Sequence, residues 1–476
     1  MAESKYTAGL QFIVSTPAQT LDKHDRKAIR SHATRARATR PRKHAVQLWS
    51  WISPNRELGS LRNAAAEEAP IQESMVANAP SPRQFGSHFS GLQLPSGVEP
   101  HMIQDLVKLI NLNKQAGYPH EVCVDAHPVE RGWFPYMVSD LCCLHSMMFS
   151  LRAIVDRAPR DHLACFHYAK TLQLLQARLN EHDQTSALCD STIMVVITLA
   201  ISAELTKDFD AVETHIRGLE KIVGLRGGVR ALTTHNNMQV KVCRADLAYA
   251  LQFGHQPLLF KEGISWDCFI ADSGLVKCSH RPHDANIRAF TETALDARLH
   301  NAMRDLHAFS CMSNVAYQTK GKLSANTYNE MMISILYRLA HLSFEHDPLQ
   351  EALRLGLVAL SSQIYLQRHY MEESYDFLLD LFNHALLRLR ELAAIDLPVP
   401  VILWLTMLSH VVARNEPTAA DWRSLWLDQT ILRADINSWS QACEMLRSIA
   451  WVDFIHKQRG KPVFEAAISR LNNINI

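Results

Sequence analysis

The residues of this chain best suited to chemistry are a run of cations near its start. Between Arg26 and Lys43 lie Arg26, Lys27, Arg30, Arg35, Arg37, Arg40, Arg42 and Lys43, with no acidic residue among them. Arginine dominates, and its planar guanidinium fork matches the paired oxygens of a phosphate. Such a run serves either a nuclear import receptor or the DNA phosphate backbone, which it neutralises without reading sequence. The plain alternative is a solvated basic tail with no particular ligand. Import ranks above base readout, because no folded module surrounds the run to fix its side chains against base edges.

Other reactive types are less well arranged. His280-Arg281-Pro282-His283 sets two histidines three apart near Cys278. Pro282 breaks helical spacing there, and no carboxylate cluster completes a metal set. Glu345-His346-Asp347 reads as a polar helix end before Pro348. The ten cysteines fall at irregular intervals, mostly inside apolar helical patterns such as Leu141-Cys142-Cys143-Leu144, and no Cys-x-x-Cys occurs. Buried free thiols in a reducing compartment follow. Gly-x-Ser-x-Gly, phosphate-loop, Gly-x-Gly-x-x-Gly and His-Glu-x-x-His signatures are all missing, as is any pair of adjacent aspartates. The chain is therefore expected to be no enzyme, with no cofactor, no metal and no catalytic residue.

The elements that carry these residues divide into three segments. Residues 1–52 form a basic arm, with a short strand-like apolar piece, Leu10-Gln11-Phe12-Ile13-Val14, ahead of the cations. Residues 1–44 hold ten Lys and Arg against three acidic residues, a charge of +7. With a total of +1, the remainder carries −6. A basic arm on a mildly acidic body points to a polyanionic or acidic partner. Residues 53–100, with Pro54, Pro70, Pro80, Pro82, Pro95 and Pro100 among Ser, Ala, Gly and Gln, read as a linker.

Residues 101–476 are expected to be an all-α body. Ile103, Leu106, Val107 and Ile110 recur at helical spacing. A helical run follows Trp133-Phe134-Pro135 as far as Ala158-Pro159. Another spans His162 to about Leu179, with Phe166, Ala169, Leu172 and Leu175 along one stripe. Ser191–Glu204 is almost wholly apolar and predicts a helix buried all round. Phe209, Val212, Ile216, Leu219 and Val223 predict the next helix, closed by a glycine cap at Arg226-Gly227-Gly228. Further patterns cover 287–315, 326–345, 349–369, 373–393, 401–413 and 421–457. Trp404, Trp422, Trp426, Trp439 and Trp451 are expected in the core. The longest uncharged stretch, Leu397–Ala413, reads as a buried helix entered at proline rather than a membrane span. The polar start lacks the pattern of a secretory leader. A soluble, intracellular protein with no membrane partner is expected.

Several of these segments, in this order, resemble the fungal-specific transcription factor family. Phe12-Ile13-Val14 followed by Arg26-Lys27-Ala28-Ile29-Arg30-Ser31-His32-Ala33 is similar to an arm found in many members. Trp133-Phe134-Pro135 leading into Ser139-Asp140-Leu141 resembles the family's first core helix. His215-Ile216-Arg217-Gly218-Leu219-Glu220-Lys221-Ile222-Val223-Gly224-Leu225-Arg226-Gly227-Gly228 is the nearest match. Arg244-Ala245-Asp246-Leu247 and Ile402-Leu403-Trp404 fit later positions more loosely. The resemblance implies a helical regulatory domain in a nuclear transcriptional regulator of a metabolic gene set, such as a secondary-metabolite gene cluster. Many members carry a six-cysteine binuclear zinc cluster. Here no cysteine precedes Cys123, and the chain resembles the subgroup that bears an Arg-Ser-His arm instead. Expected partners are the DNA phosphate backbone or a DNA-bound protein, a nuclear import receptor, and a second subunit in a homo- or heterodimer. The competing reading is a nuclear or cytoplasmic adaptor or scaffold that acts through its helical surface and does not touch DNA.

Overall fold

A computed structural model describes residues 96–99, 102–106, 108, 136, 139–154, 156, 158–180, 185–232, 238–261, 263–273, 295–366, 375–391, 397–413 and 421–474. The basic arm, the linker except 96–99, and His280 and His283 lie outside the described residues. The described residues form thirteen α-helices and one 3-10 turn, with no strand among them. The body is all-α.

The first group comprises α1 (Leu141–Ile154), α2 (His162–Asn180), α3 (Asp190–Leu205) and α4 (Phe209–Leu225). α3 is buried on every side, as a run of Ile193 to Ala200 without a charge requires. It packs on α1 and α4, and α2 lies against α1. α4 shows its period-3.6 face in Val212, Ile216, Leu219, Ile222 and Val223, all buried. It ends where Gly227 and Gly228 take φ of 92° and 85°. Gly228 N–H bonds back to Val223 O at 2.9 Å, a Schellman-type closure that needs residues without a Cβ.

Two local expectations change. The helix after Trp133-Phe134-Pro135 is interrupted: Asp140 is non-helical and its Oδ1 accepts from Cys143 N–H at 2.9 Å, so α1 starts at Leu141. On α2 only the second half of the apolar stripe, Leu172 and Leu175, turns toward the core. Ala164, His167, Thr171 and Leu175 are buried, whereas Phe166 is 45% exposed. The small and polar residues win because they let α1 approach closely. Thr171 Oγ1 returns its proton to His167 O, and His167 hydrogen-bonds His145 of α1.

α5 (Met238–Phe253) joins this group to the rest, touching α3 and α4 on one side and α7 (Ala325–Ala340) and α9 (Asp376–Glu391) on the other. α6 (Ala297–Thr319) lies against α7 and α8 (Pro348–Tyr365). α10 (Val399–Val412), buried from Pro400 to Val412, is the axis of the last group and packs on α8, α9, α11 (Trp422–Arg433), α12 (Trp439–Ile449) and α13 (Asp453–Ile474). Its Trp404 is fully buried and donates Nε1–H to Ala450 O at 2.7 Å. Gly356 of α8 permits that ring to sit there, since a Cβ would come within 2.8 Å of it. Trp426 and Trp451 are likewise buried, and Trp422 and Trp439 pack half-buried against the core.

The predicted run 421–457 resolves into α11, α12 and the start of α13. It breaks at Asp435, whose φ is 48°, and at the extended residues 450–452. Ser438 and Gln441 form a capping box at the head of α12. Asp347 proves to be the N-cap of α8, accepting from Leu349 and Gln350 N–H at 3.1 Å, with Pro348 at the first helical position. No described helix is long and apolar enough to cross a membrane.

Candidate functional site

The structure gives no placement for Arg26, Lys27, Arg30, Arg35, Arg37, Arg40, Arg42 or Lys43, which lie outside the described residues. What it does bring together is a polar cluster at the N-terminus of α3, assembled from segments far apart in the chain. Asp140, the cap of α1, accepts from Arg178 Nη2 of α2 at 2.6 Å. Arg178 Nη1 reaches Thr192 Oγ1 of α3 at 3.4 Å. Asp190, in the first turn of α3, accepts from the Tyr136 hydroxyl at 3.3 Å and from Arg226 at the end of α4. Lys241 of α5 sets its ammonium 5.5 Å from the centre of the Tyr136 ring, a cation–π distance.

Two of the family-like segments thus meet at one place, beside the turn that precedes a third. Tyr136 and Asp140 flank Ser139, Arg226 opens the Arg226-Gly227-Gly228 cap, and Lys241 precedes Arg244-Ala245-Asp246-Leu247 by one helical turn. The signal for this in sequence was only the segment order, because no spacing rule links residues 38 or 36 apart.

Electrostatics at the cluster follow from burial. Arg178 and Arg226 are each 18% exposed and Asp190 24%, so their attraction is screened less than that of surface pairs. Burial raises the Asp140 carboxyl, but hydrogen bonds from Arg178, Ser191 and Cys143 outweigh it and hold the group below its ordinary value. Burial pushes the Lys241 amine down to about 8, helped by Arg244 and opposed by Cys143 and Asp190. Chemically the cluster locks α1, α2, α3 and α4 together by ion pairs, with a softened amine at its edge.

Two buried carboxylates hold backbone that follows α5, at residues 258–259 and 269–271. Asp246 accepts from Leu258 N–H at 2.8 Å, Leu259 N–H at 3.2 Å and the Tyr337 hydroxyl at 2.7 Å. Burial raises its carboxyl above the ordinary range despite those bonds. The hollow beside it, lined by Ile216, Leu219, Glu220, Leu258 and Leu259, is too shallow for a water-sized guest. Asp305 of α6, fully buried, accepts from Phe269, Ile270 and Ala271 N–H at 2.9 Å and from Arg338 Nη2 of α7 at 2.6 Å. These are joints of the body. Among the described residues no group of three or more His, Cys, Asp or Glu is placed to hold a metal ion. Comparison of the chain with protein-family models, with curated proteins and with solved structures finds no match in any of the three.

Proposed function

We propose that the chain is a nuclear transcriptional regulator of a metabolic gene set, such as a secondary-metabolite gene cluster. In this reading the basic arm supplies import and phosphate contact, and the helical body carries subunit and effector contacts. The observation that carries it is the asymmetry of charge, +7 on residues 1–44 against −6 on the rest. That asymmetry suits an arm meant for a polyanion and a body that does not compete for it. The resemblance to the fungal-specific transcription factor family supports the same reading. The meeting of its segments around Asp140, Asp190 and Arg226 gives that resemblance a common physical role, as the joints of the regulatory body.

A second reading, an adaptor that does not touch DNA, draws on the solvent face of α2. Phe166 is 45% and Tyr168 37% exposed there, a surface suited to another protein. Salt separates the two. The full-length protein is expected to bind duplex DNA at low salt, with log affinity falling linearly against log salt. The variant R35Q/R37Q/R40Q/R42Q/K43Q is expected to bind more weakly and with a shallower slope, while its far-ultraviolet circular dichroism is unchanged. No measurable affinity at low salt selects the adaptor.

A further inference from the structure

Four large apolar side chains that keep contact with solvent lie side by side, although they come from three helices. Phe209 opens α4 and is 43% exposed. Its ring meets that of Phe253, the half-buried last residue of α5, edge-on at 5.3 Å. The next residue, Gly254, has a φ of 71°, and the Phe377 ring of α9 lies directly over it. A Cβ at that position would come within 2.0 Å of the ring, so only glycine admits it there. Phe377 and Leu381, one turn apart on α9, are each 40% exposed. His255 stacks on Tyr249 at 5.2 Å and borders the patch at the end of α5. Single exposed apolar residues are ordinary on a protein surface, whereas a contiguous group marks a contact.

The rim of this patch is acidic. Asp208 and Asp210 flank Phe209 in the chain, and Glu213 follows one turn later, all exposed. Asp376 and Asp380 stand beside Phe377 and Leu381 on the solvent face of α9. Against these five carboxylates are two exposed cations, Lys207 and Arg217, and Glu213 holds Arg217 at 2.8 Å.

Aromatic faces among carboxylates suit one side chain above the others. The guanidinium of arginine stacks flat on a ring while its fork meets an acid. The rim repels a phosphate backbone, and a two-fold copy of the same surface would set acid against acid. The chemistry therefore selects a cationic, arginine-rich segment. This chain contains one in residues 26–43, with six Arg, two Lys and no acidic residue. The 52 residues from 44 to 95 could span up to ~170 Å if drawn out fully, so reach does not limit the contact. A covalent tether also makes the association intramolecular and raises the effective concentration of the arm.

We propose that the basic arm, residues 26–43, docks on the patch formed by Phe209, Phe253, Phe377 and Leu381 of its own chain. Arginine side chains stack on the rings and pair with Asp208, Asp210, Asp376 and Asp380. The docked arm is withheld from other polyanions, so docking and phosphate contact compete for the same cations. The contact itself stands on exposure and charge, and only its competition with DNA rests on the regulatory reading.

The test treats the full-length protein with a zero-length carbodiimide, which joins lysine amines to carboxylates, and maps the links by mass spectrometry. Lys27 and Lys43 are expected to link to Asp208, Asp210, Asp376 or Asp380. The yield should be independent of protein concentration and should collapse at high salt. The variant F209S/F377S, which keeps every charge, is expected to lose those links with its circular dichroism unchanged. It should also bind duplex DNA about fivefold more tightly, as for an arm ~80% docked in the wild type. Should neither protein bind DNA, the regulatory reading falls and the links alone decide the docking. Absence of links to the four aspartates, a yield that climbs with concentration, or links that persist in folded F209S/F377S overturns the proposal. Equal DNA affinity of the two proteins overturns the competition.

Discussion

Replacing Arg338 by methionine is expected to lower the free energy of unfolding by about 3–5 kcal/mol, because it strands a buried carboxylate. Arg338 is 1% exposed and its partner Asp305 is wholly buried. The guanidinium meets three acceptors at once: Asp305 Oδ2 at 2.6 Å, Asp267 O at 3.1 Å and Ser334 O at 3.1 Å. Methionine matches the stem but meets none of them. Asp305 would retain its three backbone donors from residues 269–271 with no countercharge, in a setting where water cannot compensate. Lysine at 338 restores a charge but not the fork, so R338K is expected to recover only part of the loss. Urea denaturation of the full-length variants measures both. A change of R338M below about 1 kcal/mol, the scale of an exposed ion pair, would contradict the staple assigned to this pair.

Acidification from pH 6.5 to 4.5 is expected to destabilise the body steeply, before its carboxylates titrate. His145, His215 and His410 are each more than nine-tenths buried, and burial pushes each down to about 4. Lys170 adds to the effect at His145 and Arg423 at His410, while Asp208 opposes it at His215. In the unfolded chain these histidines titrate near 6.5. Between 6.5 and 4 the unfolded state therefore binds more protons, and stability falls as pH falls. The contribution is complete above 6.5 and exhausted below 4. Across that window each histidine is worth on the order of 3 kcal/mol. Asp246, with its carboxyl raised, works in the opposite direction and trims the loss.

His145 has a further reason to stay neutral at one nitrogen. Its Nδ1 is 2.8 Å from Nδ1 of His167, so a single proton serves both atoms, and a second would set two donors against each other. Among the described residues no side-chain partner meets either ring nitrogen of His410, and only the Arg423 backbone offers it a hydrogen bond. His410→Leu should therefore remove that residue's share of the pH dependence at little cost at pH 7.5. Denaturation midpoints at pH 7.5, 6, 5 and 4.5 check the slope, and a flat profile over this range would contradict the buried, neutral state of the three residues.

The parts of the fold legible in the sequence were those in which one signal dominated. α3 was an unbroken apolar run, α4 had both a clean period and a double glycine, and α10 was uncharged behind two prolines. α5 gave no such signal. Lys241, Arg244, Asp246 and Gln252 look like surface residues in the pattern, whereas Asp246 is buried and its charge is met by residues 12, 13 and 91 positions away. The second half of α13 lies past the predicted run 421–457, beyond Gly460 and Pro462, residue types that ordinarily weaken or break a helix. The helix continues through them because Gly460 lets the Trp451 and Trp439 rings approach, a packing gain that local propensity does not contain. α2 misled in the other direction, since its largest apolar residue faces solvent. The cluster at the head of α3 was visible only as the order of family-like segments. The basic arm, the most conspicuous feature of the sequence, lies outside the described residues, so its role rests on charge and resemblance.

The most direct test of the regulatory claim is transcript profiling of the source organism with this gene deleted and then restored. Deletion is expected to shift a coherent set of metabolic genes, a biosynthetic cluster among them. The wild-type chain is expected to restore the set, and the arm-neutralised R35Q/R37Q/R40Q/R42Q/K43Q chain is not. A deletion that moves no coherent set, or full restoration by the arm-neutralised chain, would contradict it.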